Sequence, residues 1–317
     1  MPVAARARRR WLALLSLTAW LVFPNAFAAQ ALLGVLEEAP FPPDAATLAT
    51  HVRVAFRKEA SGWEPACAPE ASPPWSASCA VPEAGDALEW TVLHAGRAIG
   101  TVTTRGWVSD EWYAAQGLLR LASPSPPRVG ARSKEYAGWP GRAAFRPLAA
   151  IHGAAPQGKS AWHRIALARA DAKRVFEAFA ELVPRIPGCR HDSNGNAIGR
   201  SRPIRRGDVA PIEAFASDDG RKLVGLRVDR KLADECYESG GFASDAWFVL
   251  PPHGRARPLP GRRDGGWPES TRPIEIGDFD SDGEEEALFR FSGYNEDGYL
   301  LFDRGFTRVR RFGWGYH

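Results

Sequence analysis

The fold class is decided by residues 273–303, which read PIEIGDFDSDGEEEALFRFSGYNEDGYLLFD. Three short apolar runs, 274–276, 287–291 and 299–302, are separated by turns rich in Gly, Asp and Asn. Runs of this length between such residues are typical of antiparallel strands, because Gly, Asp and Asn adopt the backbone angles of tight turns. We therefore expect an antiparallel sheet in this part of the chain.

The first of these turns carries a high density of carboxylates. Three Asp residues alternate, a Gly follows them, and a Glu stands four residues after the third Asp. Carboxylates this close repel one another unless a cation joins them, and Ca²⁺ accepts the irregular oxygen shell of a tight loop, to which a backbone carbonyl can add. The alternative is a metal-free acidic turn. The predicted metal-binding residues are Asp278, Asp280, Asp282, Glu284 (through its carbonyl) and Glu286.

This loop is not an EF-hand, because position 12 of such a loop would be Phe289 and the flanking segments have strand character. It resembles the D-x-D-x-D-G-x-x-D/E loop of FG-GAP/VCBS-type repeats. The resemblance covers Pro273 to Asp303 and implies a calcium ion between two strands of a propeller blade, with the three Asp residues and Glu286 as ligands. The chain departs from that pattern in ending the loop with Glu and in showing one clear copy. A loop saturated by protein oxygens leaves no open position for a substrate, so the implied calcium is structural.

The C-terminal stretch has a second resemblance. Residues 292–303, together with the terminal FGWGYH, look like the tail of an uncharacterised family of exported bacterial proteins. This resemblance implies export and brings no known activity.

Elsewhere in the chain, apolar alternation predicts strands at 52–57 and 224–228, and a hairpin over 88–103 that turns at Ala95-Gly96-Arg97. One helix is expected near 171–183, where Asp171 can cap an apolar stripe. We expect a mainly β (α+β) protein of short antiparallel strands, arranged as a sandwich or a partial propeller, with that helix packed on a sheet.

Three regions follow from composition. Residues 1–28 have the features of a signal peptide: a cationic start, a 13-residue apolar stretch and small residues before Ala29. The apolar stretch is too short for a membrane anchor. We expect a β-rich N-terminal region at 29–125 and an α+β region at 126–317 that contains the acidic loop, with the boundary in the Pro-rich segment 122–130. The mature protein should be periplasmic or extracellular, with no further membrane span.

Charge and cysteines agree with export. The chain has 41 Lys and Arg against 37 Asp and Glu, and the signal segment holds four Arg and no acid, so the remainder is balanced in charge. Nucleic acid is therefore not an expected partner. In an oxidising compartment disulfides are the default, and four Cys allow three connectivities. We favour Cys67 with Cys79, because the loop between them is short, and Cys189 with Cys236.

The sequence contains no recognisable catalytic set. It has no H-E-x-x-H, G-x-S-x-G or Gly-rich phosphate loop. The favoured interpretation is a non-enzymatic, calcium-binding envelope protein that binds a protein or an envelope polymer; the alternative is a secreted hydrolase. An anionic polymer could use the Arg-rich segments, although Arg clusters often form solvated loops. Those segments contain Arg200, Arg202, Arg205 and Arg206, and then Arg255, Arg257, Arg262 and Arg263.

Overall fold

The computed structural model describes residues 31–40, 47–68, 72–79, 87–109, 113–136, 141–153, 162–186, 202–228, 245–261, 270–293 and 296–315. The signal segment, Cys189 and Cys236 lie outside these residues, so the corresponding predictions stay untested. Among the described residues, no helix has both the length and the apolar character needed to cross a membrane. Two layers of sheet and a closed barrel account for most of the described backbone.

The N-terminal strands close into a barrel. Six of them pair in the order β1-β7-β4-β5-β6-β2, and β2 pairs back onto β1, with Val35 opposite Arg53. One further strand, β3, pairs with the C-terminal part of β2, on the same edge of β2 that pairs with β6. Apolar side chains, among them Trp90, fill the inside. The strands are β1 Leu32–Pro40, β2 Leu48–Glu59, β3 Gly62–Pro65, β4 Leu88–His94, β5 Arg97–Trp107, β6 Leu118–Leu121 and β7 Leu148–His152.

The predicted hairpin is present in this barrel as β4 and β5, and the turn residues Ala95 and Gly96 both have positive φ. Closure of the barrel was not predicted. It depends on β1 and β7, and β7 follows the Pro-rich segment 122–130, so that segment connects two strands of the same barrel. A one-turn helix, α1 Trp75–Ser78, lies between β3 and β4.

A four-stranded antiparallel meander, the central sheet, packs against the outside of the barrel. Its strands are β15 Ser270–Gly277, β16 Glu286–Gly293, β17 Glu296–Asp303 and β18 Arg308–Gly315. Tyr299 and Leu301 of β17 face the barrel, and the alternate residues Leu300 and Phe302 face the opposite way into a second apolar cluster. The sheet is therefore covered on both faces, which explains the nearly continuous apolar runs of its two inner strands, β16 and β17.

Buried polar contacts fix the central sheet to the barrel. Arg53 donates to Glu37 at 2.8 Å, and its guanidinium lies 3.7 Å from the ring centre of Trp314 in β18. The Tyr299 hydroxyl donates to the other oxygen of Glu37. Nearby, Glu275 of β15 accepts a hydrogen bond from the hairpin-turn N–H of Gly96 at 2.9 Å.

The outer sheet covers the other face of the central sheet. Its strand order is β14-β13-β12-β11-β8, and Trp247 of β13 meets Phe289 of the central sheet edge to face, 5.0 Å between ring centres. Helix α2, Arg169–Leu182, buries Val175 and Phe179 against its far side. The remaining strands are β8 His163–Arg164, β9 Arg185–Ile186, β10 Arg202–Pro203, β11 Val209–Ala216, β12 Lys222–Val228, β13 Asp245–Leu250 and β14 Arg257–Pro258.

The predicted fold class is confirmed. The described chain is mainly β, its principal sheets are antiparallel, and one helix packs on a sheet as expected. Short 3-10 turns occupy Tyr113–Ala115, Lys134–Tyr136 and Arg206–Asp208. Cys67 and Cys79 form the favoured disulfide, and they bracket the one-turn helix α1.

Candidate metal centre

The acidic loop connects two adjacent strands of the central sheet. Strand β15 ends at Gly277 and β16 begins at Glu286, and these two residues are opposite each other in the register. The intervening residues turn tightly, because Ser281 and Gly283 have φ values of 63° and 89°, in the left-handed region that Gly enters without steric cost. Phe279 is buried beneath the loop in the interface with the barrel and anchors it.

Three carboxylates converge in this loop. One oxygen from each of Asp278, Asp280 and Glu286 lies within 4.8 Å of the other two. All three side chains accept hydrogen bonds from backbone N–H groups of the loop: the N–H of Gly283 donates to Asp278 at 2.9 Å, that of Asp282 to Asp280 at 3.2 Å, and that of Phe279 to Glu286 at 2.8 Å. The group is thus a preformed set of hard oxygen donors at the end of a sheet, which is the donor chemistry that Ca²⁺ prefers.

A lysine from the barrel contacts the same carboxylates. The Lys58 ammonium group of β2 donates to Asp280, and it lies 3.3 Å from an oxygen of Asp282. The same ammonium nitrogen lies 5.6 Å from the ring centre of Trp63. Lys58 therefore supplies one positive charge at the edge of an acidic group that carries several negative charges.

The electrostatics of the loop disfavour full ionisation. Burial, together with the neighbouring carboxylates of Asp280, Asp282 and Asp278, raises the pKa of Glu286 to about 9, against the opposing hydrogen bond from the Phe279 N–H. Burial also raises the pKa of Asp280, although Lys58 opposes this. A divalent cation at the point of convergence would offset both the burial and the repulsion.

The structure separates the predicted residues into two groups. Asp278, Asp280 and Glu286 meet, whereas the Asp282 carboxylate accepts the N–H of Glu284 at 2.8 Å and faces Lys58. The Glu284 side chain is exposed. Lys58 is the residue of this site that the sequence did not predict, because it lies 222 positions before Asp280. The apolar alternation of its strand indicates only that the strand belongs to a sheet.

Comparison of the chain with protein-family models, curated proteins and solved structures gives no match. The likeness to FG-GAP/VCBS loops therefore rests on residues 273–303 alone.

Proposed function

We propose that this protein is an exported, calcium-binding envelope protein that acts by binding or interaction, and that the loop after β15 holds its calcium ion. The convergence of Asp278, Asp280 and Glu286 within 4.8 Å is the observation that carries the proposal. The disulfide between Cys67 and Cys79 supports export, because such bonds persist in oxidising compartments. The cationic and apolar start of the chain supports it as well.

A structural role fits this position better than a catalytic one. The loop joins two strands of the central sheet, and Phe279 inside it packs in the apolar interface with the barrel. A cation bound here would relieve repulsion among buried carboxylates and so stabilise the loop and the interface together. The proposed calcium therefore stabilises the contact between the end of the central sheet and the barrel.

The test is calcium titration by calorimetry on mature protein recovered from the envelope, with N-terminal sequencing to locate cleavage near Ala28. We expect measurable heat and a rise in melting temperature with Ca²⁺. Glu286→Gln keeps the size of the side chain and an acceptor for the Phe279 N–H, so it should fold and weaken calcium binding by about tenfold or more. Glu89→Gln, which removes one exposed acid of β4, is the matched control. Absence of heat, or equal affinity in both variants, rejects the calcium site.

Lys58→Met provides a second, opposite test of the same site. The ammonium group competes with a metal ion for Asp280 and Asp282, so its removal should tighten calcium binding. A partly buried ion pair contributes about 1 kcal/mol, which corresponds to about a fivefold gain in affinity. Weaker calcium binding in Lys58→Met would show that the metal does not occupy the position that faces this lysine.

A further inference from the structure

Arginines from three segments of the chain lie around the C-terminal end of helix α2. Ile186, Ile204 and Ala256 belong to the apolar cluster beneath helix α2, and they come from three separate segments of the chain. Each is buried and has an exposed arginine beside it in the chain. The three segments meet beside the C-terminal end of α2, because the N–H of Ile204 donates to the carbonyl of Pro184 at 3.2 Å and Arg255 contacts Glu181 at 3.1 Å. We call this set the arginine surface: Arg185, Arg205, Arg206, Arg255 and Arg257.

Most of the positive charge on the arginine surface is not neutralised. Arg205, Arg206 and Arg257 are exposed and have no ion-pair partner in the described part of the chain, although the charge of Arg205 acts on Asp208. Arg255 is 86% exposed and contacts Glu181 at 3.1 Å, a surface pair of little strength. The neighbouring Arg202 behaves differently, since Asp208 binds it through two contacts of 2.6 and 2.8 Å.

An exposed apolar residue lies beside these charges. Leu182, the last residue of α2, is 44% exposed and follows Glu181, the partner of Arg255. Exposed arginines next to an exposed leucine match the chemistry of an anionic bilayer surface, where cations meet lipid phosphates and an apolar side chain enters the interfacial region. A soluble polyanion would use the arginines and gain nothing from Leu182.

We propose that the arginine surface, with Leu182, docks this protein peripherally on a membrane that contains anionic phospholipid. This inference is independent of the calcium loop, which lies at the end of a different sheet. The positive charge is local, because the chain without its first 28 residues has equal numbers of acidic and basic side chains. Docking should therefore depend on this surface and weaken as salt rises.

The experiment is co-sedimentation of the full mature protein with lipid vesicles, in the presence of EDTA. One set of vesicles contains phosphatidylcholine alone, and the other contains about 30% phosphatidylglycerol, which is enough for a strong negative surface potential. The chelator removes any contribution of calcium, so failure here and failure of the calcium proposal are distinguishable. We expect binding only to the anionic vesicles. The double variant R205E/R206E should lose about 25-fold in partitioning or more, since each basic residue near a charged bilayer contributes about fivefold.

The matched control is R97E/R105E, which makes the same charge change with two exposed arginines of β5 in the barrel. It should leave partitioning within about twofold of the original protein. Melting temperatures of both double variants verify folding. Leu182→Ser separates lipid from polymer: it should weaken vesicle binding and leave binding to soluble polyphosphate unchanged. The proposal is overturned if the protein does not bind anionic vesicles, or if both double variants lose the same amount of vesicle binding. It is also overturned if Leu182→Ser binds vesicles as well as the original protein does.

Discussion

His51 of β2 is a buried histidine whose ring nitrogens both lack a hydrogen-bond partner among the described residues. It is 7% exposed and lies opposite Glu37 of β1 and Arg120 of β6 in the barrel register. Burial, together with the positive charges of Arg53 and Arg120, lowers its pKa to about 4. The folded protein thus holds this imidazole neutral, whereas the unfolded chain protonates it at an ordinary pKa.

We predict that His51 makes the protein acid-sensitive. Because the unfolded state binds the proton more readily, the stability contribution is complete above pH 6.5 and is lost progressively as pH falls toward 4, by about 3 kcal/mol in total. His51→Leu should flatten the pH dependence of the free energy of unfolding in that window, measured by urea denaturation. His163→Leu, at an exposed position, should leave it unchanged. An equally steep dependence in His51→Leu contradicts the assignment.

Helix α2 shows which part of an element is encoded locally. Its apolar stripe predicts residues 171–183 and the structure has Arg169–Leu182. Asp171 was expected to cap the helix, but it lies inside the first turn and binds the Lys222 ammonium at 2.7 Å. The local sequence indicates the helical period and supplies Arg174 at 3.3 Å from Asp171, whereas the closer partner, Lys222, comes from β12 and leaves no trace near residue 171.

Truncation of the buried face of α2 should be costly. Phe179 is fully buried and packs on Phe248 of the outer sheet, with ring centres 6.1 Å apart. We expect Phe179→Ala to lower the free energy of unfolding by about 3–5 kcal/mol, through lost burial and a residual cavity. Leu182→Ala, at the exposed end of the helix, should change it by less than about 0.5 kcal/mol. Chemical denaturation measures both, and similar small losses would mean that the helix is not docked as described.

The strands divide in the same way into predictable and unpredictable ones. Alternation identified β2 and the β4–β5 hairpin, but β1 and β7 passed unnoticed because consecutive residues of both are buried, one face inside the barrel and one against other layers. A run that is apolar on both faces has no alternation to detect. Strand β2 is also buried on both faces over residues 51–56, but Arg53 between Val52 and Val54 gives it an alternation. The acidic loop was found because Asp278, Asp280 and Glu286 are close in sequence; Lys58 was not, because only the paired fold brings it there.

At the scale of the whole molecule, the central sheet should make unfolding cooperative. Leu301 is fully buried and faces the barrel, while its neighbour Leu300 faces the outer sheet, so one strand serves two interfaces. We expect Leu301→Ala to cost about 2–5 kcal/mol and to lower hydrogen-exchange protection equally in β4 of the barrel and β12 of the outer sheet. Loss of protection confined to the barrel would show that the layers unfold independently.

The central position of β15–β18 also sets the order in which the chain can complete its structure during synthesis. Every strand of the barrel and of the outer sheet precedes these four along the chain. Until they emerge, barrel residues such as Phe56 and Trp63 have no apolar partner layer on their outer side. The nascent protein therefore carries uncovered sheet faces for most of its elongation, a condition under which chains aggregate or require chaperones. Translocation in an unfolded state, with folding after release, would avoid this exposure inside the producing cell.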